Sequence, residues 1–414
     1  MATMQQGKRQ SIGKNMLFNS VGSLFYLMCQ WLVTVLSTRL GSFETCGVLT
    51  LAISITNVFY VVSTFSLRVF QVSDTNGKYP PGRYYSTRLM TGMLGFAGCV
   101  LFTLANAQYS LMQALCIVVY MLFKLGEALV DTLAAEQQKA WRMDYTCYSF
   151  LMRGIAMLGT FVAAMLLWHS LLIALVLMAV ATLAIVLLYD LHLTLKLAPG
   201  KFDLSLKKSL PLLKEAWPMM LNGMLMTMLA SIPRYFLEQF AGSETLGVYS
   251  SIAMPAVIIQ TGCSFIYSPL VAPLSEKYHA GDRAGFGRGI LRALLAVLAM
   301  AAAVMLGGVL LGDWGLRLLY GEAIAPYTGQ LLMVLVATLC MALLYFFEVP
   351  LTIVRRLKMM SVMHLVAAAL VTLLSVMLIP SMGMVGVNVA IIAAAGLDVV
   401  CMGAATLWLT RKSA

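Results

Sequence analysis

The sequence carries little charge for its length. Only 11% of its 414 residues are charged, whereas 61% are hydrophobic. Soluble domains carry about 25% charged residues, because a surface that faces water needs polar cover. The apolar residues also come in runs of about 20, the length that crosses a hydrocarbon core of about 30 Å. The composition therefore excludes a soluble globular protein and predicts an integral membrane protein.

Motifs for metal, redox and nucleotide chemistry are absent. The eight cysteines form no C-x-x-C pair, and most lie inside apolar runs, as Cys99 and Cys340 do. This placement is typical of small buried hydrophobic side chains. The sequence has no G-x-x-x-x-G-K-[ST] loop and no nucleophile elbow, so the chain has no ATP-binding part of its own. We expect no metal and no cofactor, with a proton or sodium gradient as the candidate energy source.

Apolar runs predict twelve transmembrane helices. Their centres lie near Tyr26, Asn57, Phe96, Val119, Met157, Val180, Met226, Ile258, Ala301, Leu339, Ala369 and Ala394. With a cytoplasmic N-terminus, most of the 28 basic residues fall inside, and the outside segments hold only Arg39, Arg234 and Arg317. This asymmetry follows the positive-inside rule and predicts a multi-pass protein of the cell membrane with both termini in the cytoplasm. Anionic lipid at the inner leaflet is a sufficient partner for the net charge of +11, and no nucleic acid is expected.

A short phrase occurs twice in the chain. "GSFETCGVLT" begins at Gly41 and "AGSETLGVYS" at Ala241, each in a predicted outside loop after the first helix of six. The layout indicates parallel repeats related by an axis along the membrane normal, an arrangement that suits alternating access. We assign an N-terminal lobe to residues 1–190, a cytoplasmic linker to 191–213 and a C-terminal lobe to 214–414. Chance, or the shared requirements of two loops, is the alternative explanation.

Charged side chains lie within the fourth predicted span. In "FKLGEALVDTLAAEQQKAWRMDY", Lys124, Glu127 and Asp131 are three and four residues apart and share one helix face. A lone charge at the bilayer centre costs about 2.5–3.5 kcal/mol, so we expect these three to meet each other, a partner helix or water. The functional interpretation is a hydrated substrate path. A structural Lys–acid pair, or an Asp131 at the interface, is the alternative.

Arginines extend this candidate site. Arg153 in "FLMRGIAM" would bind a phosphate, since a guanidinium fork fits phosphate oxygens. Snorkelling, or a pair with Asp144 or Glu127, is the alternative. If the functional interpretation holds, Arg153→Ala lowers substrate transfer without unfolding the protein. Arg68 and Arg88, each also typical of an inside anchor, are candidates for a basic vestibule together with Arg142 and Arg153.

The second half of the chain holds fewer candidates. Arg234 lies one turn from Glu238, and a surface ion pair is the alternative to a substrate contact. Glu348 in "YFFEVPL" and Asp398 in "AGLDVV" are lone acids in late spans and candidates for carrying a coupling proton or cation. For these two acids a buried hydrogen bond or an interfacial position is the alternative. We expect His364 to be structural.

The sequence resembles a known family in three blocks: "SLRVFQVSD", "YYSTRLMTG" and "FKLGEALVDTLAAEQQKAWRMDY…LMRGIAML". The closing "MLIPSMGMVGVNVAI" is also similar. The family is the polysaccharide transport family, the O-antigen-type flippases of lipid-linked oligosaccharides within the multidrug/oligosaccharidyl-lipid/polysaccharide exporter superfamily. Glu136 in "AAEQQ" departs from its pattern, in which small and apolar residues are usual. Carried over by position, the resemblance marks Arg68, Asp74, Arg88, Lys124, Glu127, Asp131, Gln138, Arg142 and Arg153.

This resemblance implies a fold and a function. The fold is an all-α polytopic membrane protein with about twelve transmembrane helices in two six-helix lobes around a central cavity. The substrate is a glycan on a polyprenyl pyrophosphate carrier, moved from the inner to the outer leaflet for cell-surface polysaccharide synthesis. The implied partners are this lipid-linked glycan, membrane lipids and other polysaccharide-assembly proteins, and the implied source is bacterial.

Other function classes stay open. A multidrug or metabolite exporter of the same superfamily would favour acidic sites lined by aromatic residues, whereas the blocks here are rich in arginine. A membrane enzyme that polymerises or ligates glycans needs catalytic groups in large outside loops, and the longest such loop, around 313–327, is short. We therefore expect no enzyme. A non-transporting partner in cell-envelope assembly is the remaining alternative.

Overall fold

The fold is built from helices. The computed structural model describes residues 11–411 apart from 75–76, 255–258, 260–261, 264–265 and 267–269, and no β-strand occurs in that part. The α-helices are α1 (Ile12–Arg39), α2 (Phe43–Thr64), α3 (Leu67–Ser73), α4 (Pro81–Ala105), α5 (Leu111–Lys139), α6 (Met143–Leu167), α7 (Leu171–Ile185), α8 (His192–Leu197), α9 (Leu206–Ala253), α10 (Val271–His279), α11 (Arg283–Tyr320), α12 (Leu331–Ile353), α13 (Leu357–Met382) and α14 (Met384–Arg411). A π-helix (Val186–Leu191) joins α7 to α8, and a 3-10 helix (Glu322–Gln330) precedes α12.

Most of these helices are long and apolar enough to cross a membrane. In the described part of the chain 10 helical segments meet that description. Every predicted helix centre lies within a described helix except Ile258, which falls outside the described residues. Apart from its first and last turns, a helix satisfies its backbone N–H and C=O groups within the segment, which is what hydrocarbon requires. The prediction of a multi-pass membrane protein is confirmed.

Serine side chains fix the starts of several helices. Ser42 Oγ accepts the N–H of Thr45 at 3.1 Å at the start of α2, and Ser170 caps α7 in the same way. At α5, Ser110 Oγ accepts the N–H of Gln113 while the Gln113 side chain accepts the N–H of Ser110. These bonds satisfy N–H groups that have no partner within the helix, and each such cap is worth about 1 kcal/mol.

Both copies of the repeated phrase coincide with a break between helices. In the first copy α1 ends at Arg39 and α2 begins at Phe43, with Glu44 in the first turn of α2. In the second copy Gly242 interrupts α9 with a φ of 81°, a conformation that glycine adopts without steric cost. The same phrase therefore lies at the same kind of position twice. The relation of two parallel repeats stays a prediction.

The chain divides into two compact units, residues 1–224 and 225–414. The start of α9 belongs to the first unit because it packs in a core formed by Phe65, Leu67, Tyr84, Leu212, Ala216 and Met220. The segment 191–213 contains α8 and the first residues of α9. The assignment of lobes to 1–190 and 214–414, with a linker between them, stays a prediction.

Close packing of α2 against α4 depends on Gly95. A Cβ atom at this position would collide with Ser63 Oγ and would lie 2.7 Å from the carbonyl oxygen of Phe59. Glycine therefore lets the two helices approach closely, as small residues do at helix interfaces in membranes. This contact holds α4 beside α2, so it also positions Arg88, which lies two turns earlier on α4.

Gly95→Ala is expected to destabilise the protein, because the added methyl group has no room against α2. Overpacking of this kind costs about 1–3 kcal/mol. Size-exclusion chromatography of detergent-solubilised protein after heating measures the loss as a lower midpoint temperature. Gly159→Ala is the matched control, since a Cβ at position 159 would meet no neighbouring atom within 4 Å. Equal midpoints for the two variants would contradict the packing argument.

Candidate functional site

Asp131 on α5 holds two arginines, one on each carboxylate oxygen. Arg68 Nη1 lies 3.3 Å from Oδ1, and Arg88 Nη2 lies 2.7 Å from Oδ2. Arg88 is buried, and its other donors bond Thr132 Oγ1 and, at 3.0 Å, the carbonyl oxygen of Ser63. Arg88 thus ties α2, α4 and α5 together. Two arginines share one carboxylate, so this group has one more positive than negative charge. Because Arg68 is partly exposed and Arg88 is buried, the excess charge is accessible at Arg68.

The backbone before α3 positions Arg68. Phe65 and Ser66 both have positive φ, 48° and 51°, which costs energy in residues other than glycine. These two residues in the left-handed conformation end α2 and change the chain direction before α3. Arg68 on α3 thereby reaches α5. Its Nη2 donates to Gln138 Oε1 at 3.1 Å. The contact joins two of the positions that the family resemblance marks.

Glu127 on α5 accepts hydrogen bonds from a second group of polar side chains. Tyr26 OH donates to Glu127 Oε1 at 2.7 Å, and Arg153 Nη1 donates to the same oxygen. Arg153 is buried, its Nε donates to Ser149 Oγ at 3.1 Å, and Ser149 donates onward to Asp190 Oδ2 at 2.8 Å. A continuous polar chain therefore runs from α1 through α5 and α6 to the π-helix. The pair of Arg153 with Glu127 is one of the alternatives that the sequence left open.

Lys124 differs from the arginines. Its Nζ lies 5.1 Å from the ring centre of Tyr60 and 5.8 Å from that of Tyr120, within cation–π range. Among the described residues no carboxylate oxygen lies within 4 Å of this nitrogen. The side chain is partly exposed. Lys124 is therefore an amine that, among the described residues, no acid contacts directly.

Arg142 forms a separate local pair. Its Nε and Nη2 donate to the two oxygens of Asp144 at 3.0 and 2.9 Å, and its guanidinium lies 3.9 Å from the ring centre of Tyr145. Asp144 and Tyr145 lie two and three residues after Arg142, so these contacts hold the Arg142 side chain at the start of α6. The described contacts do not bring it to Asp131 or Glu127.

Several site residues carry no signal in the sequence. Tyr26 binds the Glu127–Arg153 pair from a distant part of the chain, and Ser149, one turn before Arg153 on α6, links the pair to the distant Asp190. Glu136, which departs from the family pattern, accepts a hydrogen bond from Gln71 Nε2 at 2.9 Å. Hydroxyl and amide side chains are common in apolar spans, so only the packing of the helices identifies these partners.

Arg234 in the second unit lines a cavity of about 100 Å³. Tyr249 and Tyr345 contribute to the same wall, and the rest is mainly aliphatic. The Nε of Arg234 is buried and has no hydrogen-bond partner among the described residues. A guanidinium with an unused N–H can donate a hydrogen bond to an anionic or carbonyl oxygen of a small ligand. The role of Arg234 in substrate binding stays a prediction.

Glu348 and Asp398 share a partner. His364 Nδ1 lies 2.7 Å from Asp398 Oδ2, and His364 Nε2 lies 3.2 Å from Glu348 Oε1. The three side chains come from α12, α13 and α14, so the two acids are not the lone groups that the sequence suggested. His364 lies between them and is completely buried.

Asp74 organises the loop that precedes α4. Its carboxylate accepts the N–H groups of Lys78 and Tyr79 at 2.8 and 2.9 Å and the hydroxyl of Tyr84 at 3.1 Å. Partial burial acts to raise the pKa of Asp74, but these hydrogen bonds outweigh it and hold the pKa below its usual value. Asp74 is thus a structural anchor of this loop.

Comparison with known proteins gives a family and a fold. The sequence profile described as "Polysaccharide biosynthesis protein" matches residues 12–279. The chain is also similar to the "Capsular polysaccharide biosynthesis protein CapF" of Staphylococcus aureus. They are 24% identical over 315 residues, which cover 75% of this chain and 77% of that protein.

Solved transporter structures have the same fold. The lipid II flippase MurJ in an inward closed conformation matches with a TM-score of 0.74 and 13% identity, over 94% of this chain and 87% of that one. An outward-facing multidrug resistance MATE family transporter of the MOP superfamily matches with a TM-score of 0.65 and 12% identity, over 100% and 99%. At such low identity the likeness concerns the fold alone. The predicted class, an all-α polytopic membrane protein, is confirmed.

Arg153→Ala is expected to destabilise the protein, because it leaves the Glu127 carboxylate without its cation. Removing one partner of a buried pair costs about 3–5 kcal/mol. The double variant Arg153→Met with Glu127→Gln removes both charges and should recover most of the thermal midpoint. Size-exclusion profiles after heating measure both. A single variant as stable as wild type would contradict a structural role for this pair.

Asp74→Asn is expected to lower stability at neutral pH. Because the folded-state pKa of Asp74 is depressed, its stabilisation is present above the unfolded value of about 3.9 and is lost as the pH falls through the folded value. The difference in midpoint between wild type and variant should therefore shrink on acidification. The exposed Glu44→Gln serves as control and should follow wild type at each pH. A difference that is constant with pH would contradict the assignment.

Proposed function

The chain belongs to the polysaccharide biosynthesis protein family, and from that premise we propose that it moves a polyprenyl-pyrophosphate-linked oligosaccharide from the inner to the outer leaflet by alternating access. It acts as a transporter and not as an enzyme. The family profile and the likeness to CapF, a capsular polysaccharide biosynthesis protein, support the glycan. The likeness to a lipid II flippase fold supports the movement of a lipid-linked molecule.

The uncompensated charge of Lys124 carries this proposal. The groups around Asp131 and Glu127 comprise four cations, Arg68, Arg88, Lys124 and Arg153, and three acids, Glu127, Asp131 and Asp190. The arginines are bound to carboxylates, whereas no acid contacts Lys124. An ammonium group that is partly exposed and held between tyrosine rings is a point charge available to a phosphate. The proposed first contact of the pyrophosphate is therefore Lys124, and Arg68 is a second partly exposed cation of the same unit.

The physical need for such a contact is clear. A pyrophosphate group cannot cross hydrocarbon without compensation of its charge, whereas the polyprenyl tail is stable in lipid throughout. Cations on a helix face neutralise the head group while the tail stays in the bilayer. Transfer then requires that the protein binds the head group differently in its two states. Arg68 and Arg88 share Asp131, so one acid compensates part of their charge before substrate binds.

A multidrug exporter is the second candidate, because the MATE fold matches over the whole chain. An organic cation would need an acid that is free to contact it. Here Glu127 and Asp131 are both bound by arginines, and the excess charge of the set is positive. This balance favours an anionic substrate over a cationic one.

Leaflet transfer in proteoliposomes tests the proposal. A fluorescent polyprenyl-pyrophosphate glycan is incorporated, and its exposure to an impermeant quencher is followed with and without protein. Lys124→Gln is expected to slow transfer at least about tenfold, since a hydrogen bond to a charged group is worth about 1.5–3 kcal/mol and 1.4 kcal/mol is tenfold. Lys124→Arg keeps the charge and should retain part of the rate.

Lys207→Gln is the matched control, because it removes an exposed lysine at the start of α9 and should not change the rate. Equal rates for Lys124→Gln and wild type would refute the contact at Lys124. Absence of transfer by wild type, with the native glycan and an ion gradient present, would refute the flippase. Export of a cationic dye by the same vesicles would then support the second candidate.

A further inference from the structure

A buried set of three ionisable side chains lies in the second unit, apart from the residues proposed to bind substrate. His364 on α13 bridges Asp398 on α14, at 2.7 Å, and Glu348 on α12, at 3.2 Å. The side chains of His364 and Asp398 are completely buried, whereas that of Glu348 is 23% exposed. The set therefore has a closed end at Asp398 and an open end at Glu348.

The charges of this set do not balance. With a protonated imidazole and two carboxylates the net charge is −1, and among the described residues no Lys or Arg nitrogen lies within 4 Å of either acid. A net charge buried within a membrane span is unfavourable. One additional proton makes the set neutral. The site thus has two states that differ by a single positive charge.

One oxygen of the set has no partner. Asp398 Oδ1 is buried and accepts no hydrogen bond from the described residues, whereas Oδ2 faces the imidazole. Buried carboxylate oxygens are normally bonded, so an unpaired one indicates that the carboxylate is poorly stabilised in its charged form. Binding of a proton at Asp398 removes that charge. This observation is independent of the charge count.

The geometry also provides a route for the proton. When the imidazole is protonated, it donates Nδ1–H to Asp398 Oδ2 and Nε2–H to Glu348 Oε1. A proton from the exposed side binds Glu348, and the Nδ1 proton passes to Asp398 Oδ2. Both acids and the imidazole are then neutral, so the set has gained one proton and its net charge has risen from −1 to zero. Release follows the reverse order.

We propose that Glu348, His364 and Asp398 form a proton-binding site that takes up one proton through Glu348 and couples the conformational cycle to a proton gradient. The coupling rests on the transport function proposed above, whereas the uptake of the proton does not. His364 is a relay in this site and not merely a structural residue.

A proton fits this site better than a sodium ion. The imidazole already lies against one oxygen of each carboxylate, and when protonated it repels a metal cation. Hard cations prefer shells of oxygen ligands. In the described part of the chain no group of three or more His, Cys, Asp and Glu side chains has the geometry to hold a metal ion. The other titratable groups nearest along these helices are Tyr345, Lys358 and Cys401.

Infrared difference spectroscopy of the full chain in lipid nanodiscs tests the uptake. On acidification, wild type is expected to gain the C=O stretching band of a protonated buried carboxylic acid. Asp398→Asn should lose this band, and Glu348→Gln should slow or weaken its appearance. Glu322→Gln is the control, because its carboxylate is 80% exposed and pairs with Arg317 at the surface. It should keep the band.

Three outcomes would overturn the proposal. An unchanged band in Asp398→Asn assigns it elsewhere. If Asp398→Asn does not fold, Glu348→Gln gives the test. A C=O band that appears in Glu348→Gln with the same intensity and at the same rate as in wild type would also refute the proposal. Replacement of choline by sodium at constant pH must leave the band intact, and its loss would identify a sodium site.

The transport arm separates the two proposals. In the proteoliposome assay a proton gradient should accelerate glycan-lipid transfer by wild type, and Asp398→Asn should abolish that acceleration. A gradient response retained by Asp398→Asn would refute the coupling. A band that depends on Asp398, together with no transfer of the native glycan under any gradient, would refute the flippase and leave the proton site supported.

Discussion

A charge inside a membrane span must be compensated, and this requirement organises the polar part of the protein. Arg88 is the fullest example, since its donors reach α2 and α5 from α4. The Glu127–Arg153 pair does the same for α1, α5 and α6. The charged groups that make a membrane span expensive thus also hold its helices in register. Their removal therefore affects folding and function together.

The two units compensate their charges differently. In the first unit the set formed around Asp131 and Glu127 has a positive excess, presented on Lys124 and Arg68, which are partly exposed. In the second unit the set of Glu348, His364 and Asp398 has a negative excess around the buried His364. An exposed positive excess suits a large anion that enters and leaves, whereas a buried negative excess suits a proton that needs little space. The two proposals therefore assign substrate recognition and proton coupling to different parts of the chain.

Sequence reasoning predicted the fold well and the contacts of the site poorly. Low charge and long apolar runs indicate membrane helices whatever their packing, and the spacing of Lys124, Glu127 and Asp131 is fixed by the helix itself. The partners Tyr26, Asp190 and His364 depend on how helices rotate and cross, which short motifs do not encode. For the same reason Glu348 and Asp398 looked like lone acids although one imidazole joins them.

The burial of Arg88 limits how this protein can evolve. Lysine cannot replace it, because one ammonium group cannot reach Thr132, the Ser63 carbonyl and Asp131 from a single point in the same plane. Loss of Arg88 alone removes the donor to Thr132 Oγ1 and to Asp131 Oδ2, and loss of Asp131 alone leaves a buried cation without its counter-ion. We therefore expect Arg88 and Asp131 to be substituted together rather than singly.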